Sequence, residues 1–303
     1  MRRALYIGLA VIGVLLLLVI ALFGGLQTGF ARDRLRLLIA DMTAGSATQV
    51  HLDGIEGLVP FDLQLVGLRL SDRDGTWATA DRIDVAWAPQ ALFAPRLQID
   101  QLAAGTIDLA RTPVAEETQE PEPSEGPLIP ELPLTIDLRN LSVERLSLGT
   151  PILGQPAALA LQANAHLGEP SEGLSASLVM RQLAGNTGTA MIDLAYRPDD
   201  DFLRLTGKAD EPQGGVLARL LGLPQRSDFR TALNGEGPLD AWQGRMNTTL
   251  DGKPLLDLAA SIAGSEIRTI GFTVRAAPDP LLPENIRPLV AGGIDAKGSL
   301  GIM

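Results

Sequence analysis

The chain has 303 residues, 46% of them hydrophobic, and a formal net charge of −11 at pH 7. This acidic balance argues against nucleic acid as a partner, because phosphate binding needs a basic face. The sequence contains no cysteine, which excludes a disulfide framework, a thiolate nucleophile and a cysteine-type zinc site.

An apolar run dominates the N-terminus. Residues 4–26, ALYIGLAVIGVLLLLVIALFGGL, carry no charge, and a membrane-spanning helix needs roughly 20 apolar residues. A cleaved signal peptide, with a shorter apolar core, and a buried soluble helix are the alternatives. We predict a transmembrane anchor over residues 1–30, with its orientation left open because arginines flank it on both sides. A short amphipathic connector helix is predicted over residues 31–48, with Leu35, Leu38 and Ile39 on one side.

Residues 49–112 alternate between apolar and polar and predict a first β module. The stretch LRLSDRDGTWATADRIDVAWAP reads as two strands joined by a tight turn at Asp72–Gly75. Its second strand is expected to place Trp77, Thr79, Ile83, Val85 and Trp87 on one face. A phase slip at Gly67 predicts a β-bulge, and PQALFAP predicts a short helical turn bracketed by prolines.

The remainder continues the pattern after an interruption. Residues 113–132 are rich in Pro and Glu and predict a flexible acidic loop. Residues 133–303 predict further strands at the spacing of an antiparallel meander, broken by one helix over residues 214–223. The last residues read as the opening of another strand, so we expect the chain to be truncated or a fragment. The predicted fold class is mainly β: an N-terminal transmembrane helix, then an elongated, curled antiparallel sheet with a few short helices.

The apolar face of this sheet is the feature that needs a cover. A second sheet or the 214–223 helix packed on it is the ordinary interpretation, which the pattern alone favours. An open groove that holds lipid acyl chains is the alternative. Its candidate lining residues are Leu134, Ile136, Leu138, Leu159, Leu161, Leu174, Leu178, Met180, Ile192, Leu194, Leu203 and Leu205.

Motifs for chemistry are missing from the sequence. It has no H-E-x-x-H, G-x-S-x-G, P-loop or G-x-G-x-x-G pattern, and its histidines, His51 and His166, lie far apart. The run Asp199–Asp201 is expected to be a hairpin tip rather than a calcium site. We therefore predict a protein that is not an enzyme and has no catalytic residues, metal or cofactor.

Several stretches resemble the TamB family, the inner-membrane subunit of the translocation and assembly module, within the AsmA-like superfamily. They are VHLDGIEGLVPFDLQLVGLRLSDRDGTWATADRIDVAWAPQALF, RLQIDQLAAGTIDLARTP, EPQGGVLARLLGLP and LNGEGPLDAWQGRMNTTLDG. The resemblance implies a single-pass inner-membrane protein with a repeating β-groove in the periplasm. It implies phospholipid transport toward the outer membrane, or help in assembling outer-membrane proteins with an Omp85-type partner, TamA. Family members are typically far longer. We expect this chain to be without the C-terminal domain that defines the family, so that TamA would bind through regions absent here.

Two function classes therefore remain. The first is a lipid conduit, with phospholipid acyl chains and the inner membrane as partners. The second is an anchored scaffold or chaperone that binds outer-membrane proteins through strand edges.

Overall fold

The computed structural model describes residues 28–29, 32–34, 36–37, 43, 48–58, 61–114, 134–169, 171–185, 187–213, 215–220, 227–264, 268–278, 281 and 292–302. The predicted anchor over residues 1–30 lies almost wholly outside this part. Among the described residues, no helix combines the length and apolarity needed to cross a membrane. Residues 32–34, 36–37 and 43 of the predicted connector are helical, whereas its Leu35, Leu38 and Ile39 lie outside the described residues.

The described part folds into one sheet of fifteen strands. The strands are β1 Gln49–His51, β2 Gly54–Leu58, β3 Asp62–Asp72, β4 Gly75–Trp87, β5 Arg96–Leu109, β6 Thr135–Leu148, β7 Ala157–Leu167, β8 Leu174–Gln182, β9 Thr189–Arg197, β10 Phe202–Glu211, β11 Phe229–Pro238, β12 Gln243–Leu250, β13 Lys253–Ala263, β14 Arg268–Ala276 and β15 Ile294–Ile302. Helices α1 Thr150–Leu153 and α2 Val216–Leu220, and the 3₁₀ turns Pro89–Phe93 and Pro198–Asp200, connect them. Strand order follows chain order from β3 to β15, and both β1 and β2 pair with β3.

One strand pair departs from the predicted antiparallel sheet. β5 and β6 are parallel, with Leu97 opposite Ile136 and Leu109 opposite Leu148. Parallel neighbours need a crossover connection of a dozen or more residues. The chain between Leu109 and Thr135 is long enough to return to the end of the sheet where β5 began. The meander prediction was wrong here because alternation along a strand carries no information about strand direction.

The predicted hairpin between β3 and β4 is confirmed, but its predicted face is partly wrong. The two strands are antiparallel and meet at the Asp72–Gly75 turn. The register places Ala78 and Ala80, not Trp77 and Thr79, on the face of Ile83 and Val85. The reason is a step of three residues in β4, from Ala80 to Ile83, where strict alternation predicts two.

This three-residue step recurs at the same level in neighbouring strands. It separates Leu65 from Leu68 in β3, Ala104 from Ile107 in β5 and Val143 from Leu146 in β6, and the register aligns these pairs with Ala80 and Ile83. Because neighbouring strands share the step, it lies side by side across β3 to β6 without shifting the register there. The apolar side chains nevertheless stay on one face.

Asp81 and Gly67 lie at the three-residue step and accommodate its irregular backbone. The Asp81 carboxylate accepts hydrogen bonds from the backbone N–H groups of Arg82 and Thr106, over 2.6 and 2.8 Å. Gly67 has a φ of 65°, which a residue with a side chain rarely adopts. The sequence therefore correctly indicated irregular backbone at Gly67, but the bulge in the β3–β4 pairing lies three residues further along, between Leu70 and Ser71.

The most closely packed region lies at one end of the strands. Ala209, Phe229, Leu250 and Leu255 form a buried cluster where β10 and β12 end. Helix α2 lies against this end, and its Ala218 N–H donates to the buried Glu211 carboxylate over 2.7 Å. The helix thus covers the ends of the strands rather than the length of the apolar face.

Candidate functional site

The register brings the predicted lining residues onto one face of the sheet. Leu161 lies opposite Met180, Leu178 opposite Ile192, and Leu194 opposite Leu205. Residues opposite one another in register point to the same side. The members that share this face are Ile136, Leu138, Leu159, Leu161, Leu174, Leu178, Met180, Ile192, Leu194, Leu203 and Leu205. Leu134 precedes β6 by one residue and belongs to no strand.

None of these side chains is buried. Ile192 is 48% exposed, and the others are intermediate between buried and exposed. A face covered by a second sheet would contain fully buried leucines, as protein cores do. All strands of the described residues belong to the one sheet, so none of them forms a covering layer. The geometry therefore favours the open face over the packed core.

The apolar face is longer than the sequence analysis predicted. One row of register partners runs from Leu63 through Val85 and Leu102 to Leu141, on β3 to β6. At the other end of the sheet, the exposed Phe272 lies between Ala260 and Gly298 on the same face. We call this continuous surface, from β3 to β15, the apolar face.

The predicted lining residues include none from β3 to β5, although Ile83 and Val85 of β4 were expected to share one face. The apolar residues of these strands step by three, which breaks strict alternation in single strands. The signal that could have found them is that the same step recurs in consecutive strands, such as Ala104 to Ile107 and Val143 to Leu146.

The opposite side of the sheet is polar. Cross-strand ion pairs join Arg204 to Glu236, Arg230 to Asp210 and Arg275 to Asp295, with N–O distances of 3.5, 3.1 and 3.4 Å. An open depression of about 1010 Å³ also lies on this side, between β10 and β15, and polar side chains line most of it. Water can solvate this polar side, whereas the side chains of the apolar face along β6 to β10 are mostly aliphatic.

One row of polar residues has the residue types of a hydrolytic triad. Asp137, His166 and Ser175 lie side by side on β6, β7 and β8. The His166 Nδ1 lies 2.5 Å from Asp137, but its Nε2 lies 3.5 Å from the Glu172 carboxylate. Among the described residues no hydrogen bond joins His166 to Ser175, so this row does not activate a nucleophile as a triad does.

The aspartate run forms the turn between β9 and β10, and the carboxylates of Asp200 and Asp201 already have protein partners. Tyr196 donates its hydroxyl to Asp201 over 2.6 Å. The Arg197 guanidinium donates to Asp200 and lowers the pKa of that carboxyl. Within the described ranges no group of three or more histidine, aspartate or glutamate side chains is arranged to hold a metal ion.

Comparison with known families gives one match. A family model described as "YdbH-like: Intermembrane phospholipid transport protein YdbH" matches residues 14–301, which is nearly the whole chain. The YdbH-like family is related to the AsmA-like superfamily, so the resemblance stated from the sequence stands at that level, and the match does not extend to TamB. No match was found among curated proteins or among solved structures.

Proposed function

The chain belongs to the YdbH-like intermembrane phospholipid transport family, and we propose that it holds phospholipid acyl chains along its apolar face and passes them between two membranes. The observation that carries this proposal is the continuous apolar face, whose predicted lining side chains on β6 to β10 are not buried by the described residues. An acyl chain is the apolar partner that fits a long, narrow surface of this kind.

The energetics suit transport rather than storage. Burial of one CH₂ group is worth about 0.8 kcal/mol, so a chain of about 16 carbons gains on the order of 10 kcal/mol before any cost is counted. An open face buries only part of each chain and yields less. Aliphatic side chains repeat along β6 to β10, which provides many similar positions of moderate affinity.

The proposal also includes a membrane anchor and a cellular location for the sheet. We propose that residues 1–30 anchor the chain in the inner membrane as a single pass and that the sheet lies in the periplasm. The uncharged run over residues 4–26 supports the anchor. A family described by transport between membranes supports a place between the inner and outer membranes.

The test introduces charge on one face at a time. Leu161→Asp combined with Leu178→Asp places carboxylates on the apolar face, and Gln162→Asp combined with Ser177→Asp places them on the polar side of the same strands. Each full-length variant is purified from its membranes, and its bound phospholipid is quantified by mass spectrometry. We expect the first variant to lose most of its lipid and the second to retain it. Equal lipid content in two folded variants would contradict the proposal.

A second candidate function rests on the edge strand β15, which pairs only with β14 in the described part of the chain. A free edge can accept a strand of another protein, as an assembly scaffold with an Omp85-type partner such as TamA would require. Asp295 and Lys297 on this strand weigh against it, because charges on edges oppose strand addition. Crosslinks from β15 to outer-membrane proteins, with no lipid bound to the apolar face, would favour the scaffold.

A further inference from the structure

Two neighbouring turns at one corner of the sheet are apolar and exposed. The first joins β2 to β3, and the second, Pro89–Phe93, joins β4 to β5. Leu58 in the first is 57% exposed, and Leu92 and Phe93 in the second are 49% and 94% exposed. The residues that flank the two turns are neighbours, since the Trp87 N–H at the end of β4 donates to the Phe61 carbonyl just before β3 over 3.0 Å. We call Leu58, Leu92 and Phe93 the apolar corner.

Other turns along the same margin of the sheet differ in charge. The turn between β7 and β8 contains Glu169 and Glu172, and the turn between β9 and β10 contains Asp199–Asp201. The β11–β12 turn contains Asp240. By contrast, the sequences LVPF and PQALF at the corner have no charged residue. Single exposed apolar residues are ordinary, but clustered apolar side chains at exposed turn tips indicate an interaction surface.

The position of the corner identifies its partner. Arg32 donates to the Gly57 carbonyl over 2.8 Å, and Arg36 donates to the Asp53 carbonyl over 2.7 Å. The chain that follows the uncharged run over residues 4–26 therefore lies against β2, whose last residue, Leu58, belongs to the corner. A run of this length and composition enters a bilayer. That bilayer is therefore the apolar environment nearest to the exposed side chains of the apolar corner.

We propose that the apolar corner inserts into the surface of the bilayer that holds residues 4–26, as a second membrane contact beside the anchor. The inference rests on the anchoring step of the proposed function. Phenylalanine and leucine side chains at an interface bury their apolar surface at the boundary between headgroups and acyl chains. The contact places the first strands of the apolar face, including Leu63 and Val85, next to the membrane from which lipid enters.

The test measures depth in the membrane at single positions. The chain has no native cysteine, so each introduced cysteine carries one environment-sensitive fluorophore without background labelling. The labelled positions are Gln90→Cys in the second turn, Asp199→Cys in a charged turn and Ile12→Cys in the apolar run. Each full-length variant is reconstituted in vesicles of phosphatidylethanolamine and phosphatidylglycerol, with and without lipid that carries a doxyl quencher in its acyl chain.

The result expected is quenching at residues 12 and 90 and none at residue 199. Addition of Leu92→Ser and Phe93→Ser to the Gln90→Cys chain should abolish the quenching at residue 90, and the same two substitutions in the Ile12→Cys chain should leave the quenching at residue 12 unchanged. Quenching at residue 12 with none at residue 90 would contradict insertion of the apolar corner and would still support the membrane anchor. Quenching at neither position would overturn both. Quenching at residue 90 that survives the serine substitutions would also overturn the assigned role of Leu92 and Phe93.

Discussion

Arg111 donates two hydrogen bonds to the carboxylate of Asp72 and so joins the end of β5 to the turn between β3 and β4. The two bonds measure 2.7 and 2.5 Å, and the Asp72 side chain is 2% exposed. The backbone N–H groups of Val114 and Asp74 also donate to this carboxylate. The Arg111 guanidinium, aided by these N–H groups, holds the pKa of Asp72 well below its ordinary range.

Asp72→Asn removes the charge that pairs with Arg111 and leaves the shape of the turn nearly unchanged. We expect a lower melting temperature, because asparagine offers one neutral oxygen acceptor where the carboxylate offers two charged ones, so Arg111 loses its charge-assisted pair of hydrogen bonds. Asp74→Asn is the control, since the Asp74 side chain is 61% exposed and pairs weakly with Arg73. Thermal unfolding followed by circular dichroism compares the two variants, and equal melting temperatures would show that the Arg111–Asp72 pair contributes nothing.

The same pair predicts a dependence on pH. The pKa of Asp72 is lower in the folded chain than in the unfolded chain, where it lies at about 3.9. Its contribution to stability is therefore fully present above about pH 4 and is lost as the pH falls through the folded pKa. The stability difference between the native chain and Asp72→Asn should be constant from about pH 7 to 5 and should narrow below about pH 4. A difference that grows on acidification would contradict this assignment.

Truncations should separate the packed end of the sheet from the open face. Leu250→Ala removes a side chain that is 1% exposed and should lower the free energy of unfolding by about 2–5 kcal/mol. Ile192→Ala removes a side chain that is 48% exposed and should cost less than about 1 kcal/mol. Denaturant unfolding measures both values. A similar large loss at residue 192 would mean that the apolar face is covered in solution.

Glycine substitutions should test the irregular backbone at Gly67 in β3. Gly67→Ala places a side chain at a φ of 65° and against the Asp53 side chain, and it should cost roughly 1–2 kcal/mol. Gly54→Ala is the matched control on the adjacent β2, because its added Cβ would meet Val66 at an ordinary 4.0 Å. Denaturant unfolding again gives the measurement. If both substitutions were equally tolerated, the backbone at Gly67 would not require glycine.

The strands and their apolar side could be read from the sequence because alternation of apolar and polar residues shows which side of a strand is apolar. Leu161, Leu178 and Leu205, chosen from separate strands, share one face as the pattern indicates. The parallel pairing of β5 with β6 could not be read, because strand direction depends on the path of a long connection. The face of Trp77 was misassigned because of the step at Asp81. There the carboxylate accepts hydrogen bonds from the N–H groups of Arg82 and Thr106, and in the sequence Asp81 is like any other polar residue.

Whether the apolar face is open or packed was also beyond the sequence. Alternation is the same for a strand covered by a second sheet and for a strand that faces a ligand. Only the arrangement of all strands in one sheet, with α2 confined to the strand ends, separates the two cases. The apolar corner was hidden for a similar reason, since PQALF predicts a turn but not the 94% exposure of Phe93.

Photocrosslinking in living cells tests the central claim most directly. A benzophenone amino acid replaces Leu178 on the apolar face, and in a separate chain it replaces Ser177 on the polar side of the same strand. Crosslinked products are identified by mass spectrometry after irradiation. We predict a phospholipid adduct from position 178 and none from position 177. Crosslinks from position 178 that reach only other residues of the chain would show that the apolar face is a packed core and would contradict lipid transport along it.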